Sequence, residues 1–218
     1  MKIRLLVNAR ERSDIGAIGI GTLIVFIAMI LIAGIAASVL IQTMSNIQNQ
    51  AMQTGKETIR DISTGIEVRQ VSGYVVNSKI DQLAIYVSPL VASEGIDLSH
   101  TIITISDGNK QVLLSYDSDM FSDGLTDGLF QTLNSSNLTS STYGVIVIRD
   151  TDNSCSPDTP VIDQNDIVVL LVNTTKCFSG ISPRTEISGN VIPEYGVSGI
   201  ISFTTPPILI DKIVELQP

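Results

Sequence analysis

The sequence has little of the chemistry on which enzymes depend. Its 218 residues include one histidine, two cysteines and no tryptophan. It contains no HExxH metal-binding motif, no GxSxG nucleophile motif and no phosphate-binding loop. A single histidine leaves few acid–base groups that titrate near neutral pH. These absences predict that the chain is not an enzyme.

Basic residues are also scarce. The chain has 13 lysines and arginines against 22 aspartates and glutamates, which gives a net charge of −9. The aspartates between residues 117 and 166 are accompanied by one basic residue only, Arg149. Because a phosphate backbone requires a basic footprint, this charge distribution disfavours nucleic acid as a partner.

Charge of either sign is missing from Ile15 to Gly55. Within that stretch residues 18–41 read IGIGTLIVFIAMILIAGIAASVLI, and a helix of about 20 apolar residues spans a bilayer. Four basic residues precede the run, namely Lys2, Arg4, Arg10 and Arg12. By the positive-inside rule they keep the N-terminus in the cytoplasm and direct the rest of the chain outside.

Three interpretations of this segment compete. It is a secretory signal peptide, a permanent single-pass anchor, or a leader removed on the cytoplasmic side with the apolar helix retained. The first fits poorly, because signal peptides have apolar regions of roughly 7–15 residues. The choice between the other two depends on the residues after Ile41.

The helical pattern continues beyond the apolar run. Leu40, Met44, Ile47 and Ala51 recur at steps of three and four, with polar residues between them. A helix over residues 17–63 would be about 70 Å long, and Gly65 is placed to cap its end. Such a helix is longer than a bilayer is thick, so the apolar stripe beyond the membrane needs a protein partner. Other copies of the chain are the simplest choice.

Small side chains lie where these helices would meet. Gly34, Ala37 and Ser38 are predicted to let neighbouring helices approach closely, as helix pairs in apolar surroundings require. The alternative is that they are ordinary small residues of a monomeric anchor.

After Gly65 the period changes to that of strands. The predicted strands are 66–76, 83–87, 101–106, 111–116, 143–149, 167–172 and 199–204. Many short strands with polar turns predict an antiparallel sandwich or barrel. The fold class is therefore α+β, with a long N-terminal helix followed by a β-rich domain.

The segment GAIGIGTLIVFIAM at residues 16–29 resembles the start of archaeal flagellins, and the resemblance continues through residues 36–41. GKET at 55–58, GIEV at 65–68, ISPR at 181–184 and VIPE at 191–194 are also similar to that family. The resemblance covers the whole chain and is strongest in the helix.

The resemblance implies a maturation step and a division of the chain into three parts. A prepilin-peptidase-like enzyme would remove residues 1–16 by cutting between Gly16 and Ala17. Residues 17–64 would anchor the precursor in the membrane and form the filament core after assembly. Residues 65–218 would form an immunoglobulin-like β-sandwich on the outside.

The implied function is that of a structural subunit of the archaellum, an extracellular filament used for swimming. The filament would be a homo-oligomer of identical or related subunits, built by the archaellum assembly machinery and turned by a separate membrane motor. A pilin-like adhesive filament subunit and a single-pass surface protein are the alternatives. Type IV pilins carry glutamate at the fifth mature position, where this chain has Gly21.

The two cysteines, Cys155 and Cys177, flank a strand-like run, which makes one intramolecular disulfide geometrically plausible. Two free thiols are the alternative. A metal site fits less well, because His100 is distant in sequence.

Two further sets of polar residues are candidate sites. Asn134, Asn137 and Asn173 begin Asn-x-Ser/Thr sequons and are predicted N-glycosylation sites. Asp117, Asp119 and Asp123 could ligate calcium through carboxylate oxygens, although their spacing is not that of an EF-hand. A solvated acidic loop is the alternative, and no other cofactor is predicted.

Overall fold

The computed structural model describes residues 2–91, 93 and 95–218, except for the side chains of residues 2–17. The side chains of Gly16 and Ala17, the residues that flank the predicted cleavage point, therefore lie outside the described part of the chain. The chain divides into two compact units, Met1–Lys56 and Glu57–Pro218.

The first unit consists of helix α1, which spans Lys2–Ser63 and runs into the second unit. Its sequence has no proline, and its Leu, Ala, Met and Gln residues favour helix. From Ile18 to Ile62 its large apolar side chains are between 48% and 72% exposed. Most of α1 is thus stabilised by its own backbone hydrogen bonds, and its side chains are left available for partners.

The end of α1 is held by backbone bonds inside the second unit. Thr64 N donates to Arg60 O at 2.9 Å, and Thr64 O accepts from Val197 N at 2.9 Å. Gly65 does not adopt the left-handed conformation of a helix cap, so the role predicted for it is wrong. A Cβ on Gly65 would lie 2.8 Å from Val197 O, and close packing therefore explains the glycine.

The rest of the second unit is mainly β-structure. The elements are β1 (Ile66–Val76), β2 (Lys79–Pro89), β3 (Ile96–Asp97), a 3-10 turn (Leu98–His100), β4 (Ile102–Ser106), β5 (Gln111–Ser122), β6 (Thr142–Arg149), β7 (Val161–Ile162), β8 (Ile167–Asn173), the short helix α2 (Thr174–Phe178), β9 (Glu186–Ile192), β10 (Gly199–Thr204) and β11 (Ile213–Gln217).

Nine of these strands form one sheet, in the order β10-β9-β4-β5-β6-β8-β2-β1-β11. All neighbouring pairs are antiparallel except β5 and β6. The two ends of the sheet meet, since the Gln217 side chain accepts from Ser202 N at 2.9 Å and donates to Ile200 O at 3.2 Å. The predicted class, a long apolar helix followed by a mostly antiparallel β-domain, is confirmed, and the two remaining strands, β3 and β7, pair in a separate small sheet.

The core explains why some strands are uniformly apolar. The main core includes Leu83, Ile85 and Leu170 on one face of the sheet. A second, smaller core packs Phe130 and Leu138 of the β5–β6 connection against the opposite face. Because β6 and β8 are covered on both faces, their sequences read as continuous apolar runs, without the alternation of a half-exposed strand.

Candidate assembly surface

The candidate functional surface is the exposed side of α1. Among the described residues, Ile18–Ser63 form one helix that is long and apolar enough to cross a membrane. Burying a large aliphatic or aromatic side chain stabilises by about 1.5–3 kcal/mol. A helix that exposes so many of these side chains therefore favours any environment, lipid or protein, that removes them from water.

Gly34, Ala37 and Ser38 lie on exposed parts of this helix. A Cβ on Gly34 would meet no heavy atom within 4 Å. Nothing within the described part of the chain therefore requires glycine at this position. A small residue at this position would allow a helix of another molecule to approach closely.

The structure corrects the predicted disulfide, because Cys155 and Cys177 are free thiols. Cys155 N donates to Asp150 at 3.0 Å, and the Asp150 carboxylate lies within 4.8 Å of that of Asp166, which immediately precedes β8. Cys177 belongs to α2, which follows the other end of β8. The Cys177 thiol donates instead to Ser140 O at 3.8 Å, and neither cysteine forms a disulfide in the structure.

Burial also makes both thiols weak acids. It raises the pKa of Cys155 to about 12 and that of Cys177 to about 11. Nearby carboxylates, including that of Asp150, raise the pKa of Cys155 further. Neither cysteine therefore has the thiolate character of a reactive or metal-binding residue.

The three sequons differ in their surroundings. Asn134 and Asn137 are exposed in the connection between β5 and β6. Asn173 is 5% exposed, caps α2 by accepting from Lys176 N at 3.0 Å, and donates from its amide nitrogen to Ser135 O at 2.7 Å. That nitrogen is the atom to which a glycan would be attached, so burial and this hydrogen bond disfavour glycosylation of Asn173 in the folded domain, and its modification stays a prediction.

The predicted calcium ligands do not converge. Asp117 and Asp119 lie on β5, and Asp123 follows its end. Among the described residues, the group of three acidic side chains whose carboxylates all lie within 4.8 Å of one another is Asp150, Asp152 and Asp166. Asp117, Asp119 and Asp123 do not form such a group, and calcium binding by this chain stays a prediction.

The trio of Asp150, Asp152 and Asp166 is where the described residues could hold a hard cation, which takes oxygen ligands. All three members also order the local backbone, and Asp152 accepts from Ser154 N at 3.0 Å. Asp150 accepts from Asn153 N at 2.8 Å, and Asp166 accepts from Thr151 N at 3.1 Å. No local signal in the sequence marks this trio, because the pairing of β6 with β8 brings it together.

An exposed apolar helix followed by a β-domain is the architecture of a membrane-anchored or filament-forming surface subunit. Comparisons with known proteins narrow the class. A family model for archaeal-type flagellin matches residues 16–203. The chain is 43% identical to flagellin B2 of Methanocaldococcus jannaschii, over 93% of this chain and 95% of that protein. It is 36% identical to flagellin B3 of Thermococcus kodakarensis, over 93% and 97% respectively.

Solved structures give the same result. The crystal structure of an archaeal flagellin from Methanocaldococcus jannaschii matches with a TM-score of 0.64 and 33% identity, over 71% of this chain and 97% of that one. A chain of the archaeal flagellum of Methanospirillum hungatei matches in fold, with a TM-score of 0.64 and 13% identity, over 92% and 99%. The chain belongs to the archaeal flagellin family and is a structural subunit of the archaellum filament.

Proposed function

We propose that α1 of each copy passes from the membrane directly into the filament core, while the β-domain faces outside the cell. The exposure of the apolar side chains from Ile18 to Ile62 carries this proposal. Releasing them into water would cost tens of kcal/mol, at about 1.5–3 kcal/mol for each large side chain. Extraction from the membrane is therefore coupled to packing against helices already in the filament.

The precursor is proposed to lose residues 1–16 by cleavage between Gly16 and Ala17. The glycine followed by a charge-free helix supports this site, and the enzyme would be prepilin-peptidase-like. Mass spectrometry of sheared filaments tests it, with Ala17 expected as the first residue. Peptides from residues 2–15 in the assembled filament would contradict the proposal, and a Gly16→Val precursor should accumulate uncut in the membrane.

The mature subunit is proposed to act mechanically and not as an enzyme. Repeating one contact that does not close on itself gives an open helical polymer, and such a rod transmits torque. A separate membrane motor and the archaellum assembly machinery would supply rotation and export, because the chain has no phosphate-binding loop. Deleting its gene should abolish swimming and filaments together, and wild-type swimming in the deletion strain would contradict this role.

N-linked glycans are proposed at Asn134 and Asn137, whose side chains are exposed. Glycopeptide mass spectrometry of filaments tests this. Each site is checked with an Asn→Gln variant, which should lower the subunit mass by one glycan. Unmodified Asn134 and Asn137 peptides from wild-type filaments would refute it.

A further inference from the structure

A second stripe on α1, formed by carboxamide side chains, lies beyond the membrane-length apolar run. It consists of Gln42, Asn46, Asn49 and Gln53, and all four side chains are exposed. Their spacing of four, three and four residues places them on one face of the helix. The apolar stripe of Leu40, Met44, Ile47 and Ala51 lies about 180° away round the helix axis.

The carboxamide stripe differs from an ordinary wet helix face in carrying no charge. Globular domains have about 25% charged residues, and these collect on helix faces that point to water. The chain has no charged residue from Ile15 to Gly55, although nine of the thirteen residues from 42 to 54 are polar. A polar but uncharged face suits a contact from which water is largely removed. A carboxamide can form hydrogen bonds with another carboxamide there, whereas burying an unpaired charge costs much more free energy.

The chemistry of the stripe fits a second copy of the same helix. Each carboxamide has two N–H donors and one carbonyl acceptor, so identical stripes can satisfy each other. The stripe also continues directly, on the same helix, from the apolar and small-residue surface around Gly34. Helices that pack on that surface would run on beside residues 42–53.

We propose that Gln42, Asn46, Asn49 and Gln53 form hydrogen bonds between neighbouring subunits in the filament core and fix the axial register of the helices. Apolar packing alone is non-directional and tolerates sliding. A buried carboxamide that loses its partner is costly, and single buried asparagines set register in coiled coils for this reason. The inference rests on the filament function and assigns a distinct task to this part of the helix.

The test compares isosteric substitutions in full-length chains expressed in a strain lacking its own filament subunits. The double variant Asn46→Asp with Asn49→Asp changes charge with almost no change in shape. It should lower the yield of shearable filaments, relative to processed subunit in the membrane, at least about tenfold, since every copy brings unpaired charges into the core. Asn109→Asp, at the exposed turn between β4 and β5, is the matched control and should assemble normally.

A second double variant, Asn46→Ala with Asn49→Ala, removes the amides without adding charge. This variant should still form filaments. Its filaments should melt at a lower temperature than wild-type filaments. Normal yield from the aspartate variant, or unchanged melting of the alanine filaments, would overturn the proposal while leaving the filament function intact. Loss of the processed aspartate variant from the membrane would also overturn it, because the stripe would then contact lipid. A wild-type chain that forms no filaments would instead contradict the proposed function itself.

Discussion

The guanidinium carbon of Arg60 lies 4.1 Å from the centroid of the Tyr195 ring. This cation–π contact joins the last turns of α1 to the loop between β9 and β10, within the second unit of the chain. The same loop supplies Val197, whose N–H donates to Thr64 O and whose carbonyl accepts from Ile66 N. The end of the helix is therefore fixed to the β-domain by a loop more than 100 residues away in sequence.

Gly196→Ala should destabilise the β-domain by about 1–3 kcal/mol or more, because two constraints act on this residue. Its φ is +89°, and an added Cβ would lie 2.0 Å from Thr64 O. Urea denaturation followed by circular dichroism measures the loss. Gly124→Ala is the control, since its Cβ would meet nothing within 4 Å. Equal stability of the two variants would contradict the geometry of this loop.

Tyr143→Phe should cost about 1–3 kcal/mol of unfolding free energy, the penalty for leaving buried polar groups unpaired. The Tyr143 side chain is fully buried, and its hydroxyl oxygen lies 2.8 Å from Leu98 O and 3.0 Å from Thr101 O, so its single proton is shared between these two acceptors. Burial raises the pKa of Tyr143 above its usual value, so the hydroxyl stays protonated as a donor. Tyr195→Phe, at a partly exposed ring, keeps the contact with Arg60 and should be nearly neutral. Urea denaturation of both variants measures the difference.

Both thiols should react with iodoacetamide in urea without any reductant, because the structure leaves them unpaired. In the folded protein at pH 8 they should react slowly, since burial raises the pKa of Cys155 to about 12 and of Cys177 to about 11. Intact mass spectrometry counts the labels. Uptake of label by the unfolded chain only after treatment with dithiothreitol would show instead that the two cysteines are bridged.

Asp163→Asn should stabilise the domain at neutral pH. Desolvation and the charges of Asp152 and Asp166 raise the pKa of Asp163. A carboxyl whose pKa is higher in the folded state destabilises that state once it is ionised. The stabilisation by Asn should therefore be complete above the folded-state pKa and vanish as the pH falls to the pKa of the unfolded chain. Asp158→Asn, at an exposed position, is the control, and the same pH dependence in both variants would exclude a local cause.

The sequence predicts those elements whose signal is local. The predicted bounds of strand β1 match the observed ones, and so does the helix end at Ser63. Strand β9 is not predicted, because Ser188-Gly189-Asn190 interrupts its apolar pattern. Gly189 is needed there since a Cβ would lie 2.0 Å from Thr104 O of the neighbouring strand β4, a contact that only the pairing of distant strands reveals.

The candidate sites divide in the same way. The small residues around Gly34 are visible in the sequence as part of the apolar run, and the structure confirms only that they are exposed. The distance between Cys155 and Cys177 depends on which strand lies between them and how the chain turns at each end, so their separation in sequence says little about it. The Asp150 and Asp166 carboxylates likewise meet only because β6 pairs with β8.

Assembly through close helix packing is tested most directly by Gly34→Leu. Leucine raises the hydrophobicity of the helix, so membrane insertion and leader removal should be unchanged. In the single chain a side chain at position 34 contacts no other group. Between packed helices, the leucine side chain should hold neighbouring helices apart in every subunit. Ile35→Leu, which keeps side-chain volume, is the control.

The measurement is the yield of shearable filaments divided by the amount of processed subunit in the membrane. We expect this ratio to fall at least about tenfold for Gly34→Leu, which corresponds to about 1.4 kcal/mol or more of lost assembly free energy, and to stay near the wild-type value for Ile35→Leu. Normal filaments from the Gly34→Leu chain would contradict the account that the helix packs closely among copies of itself.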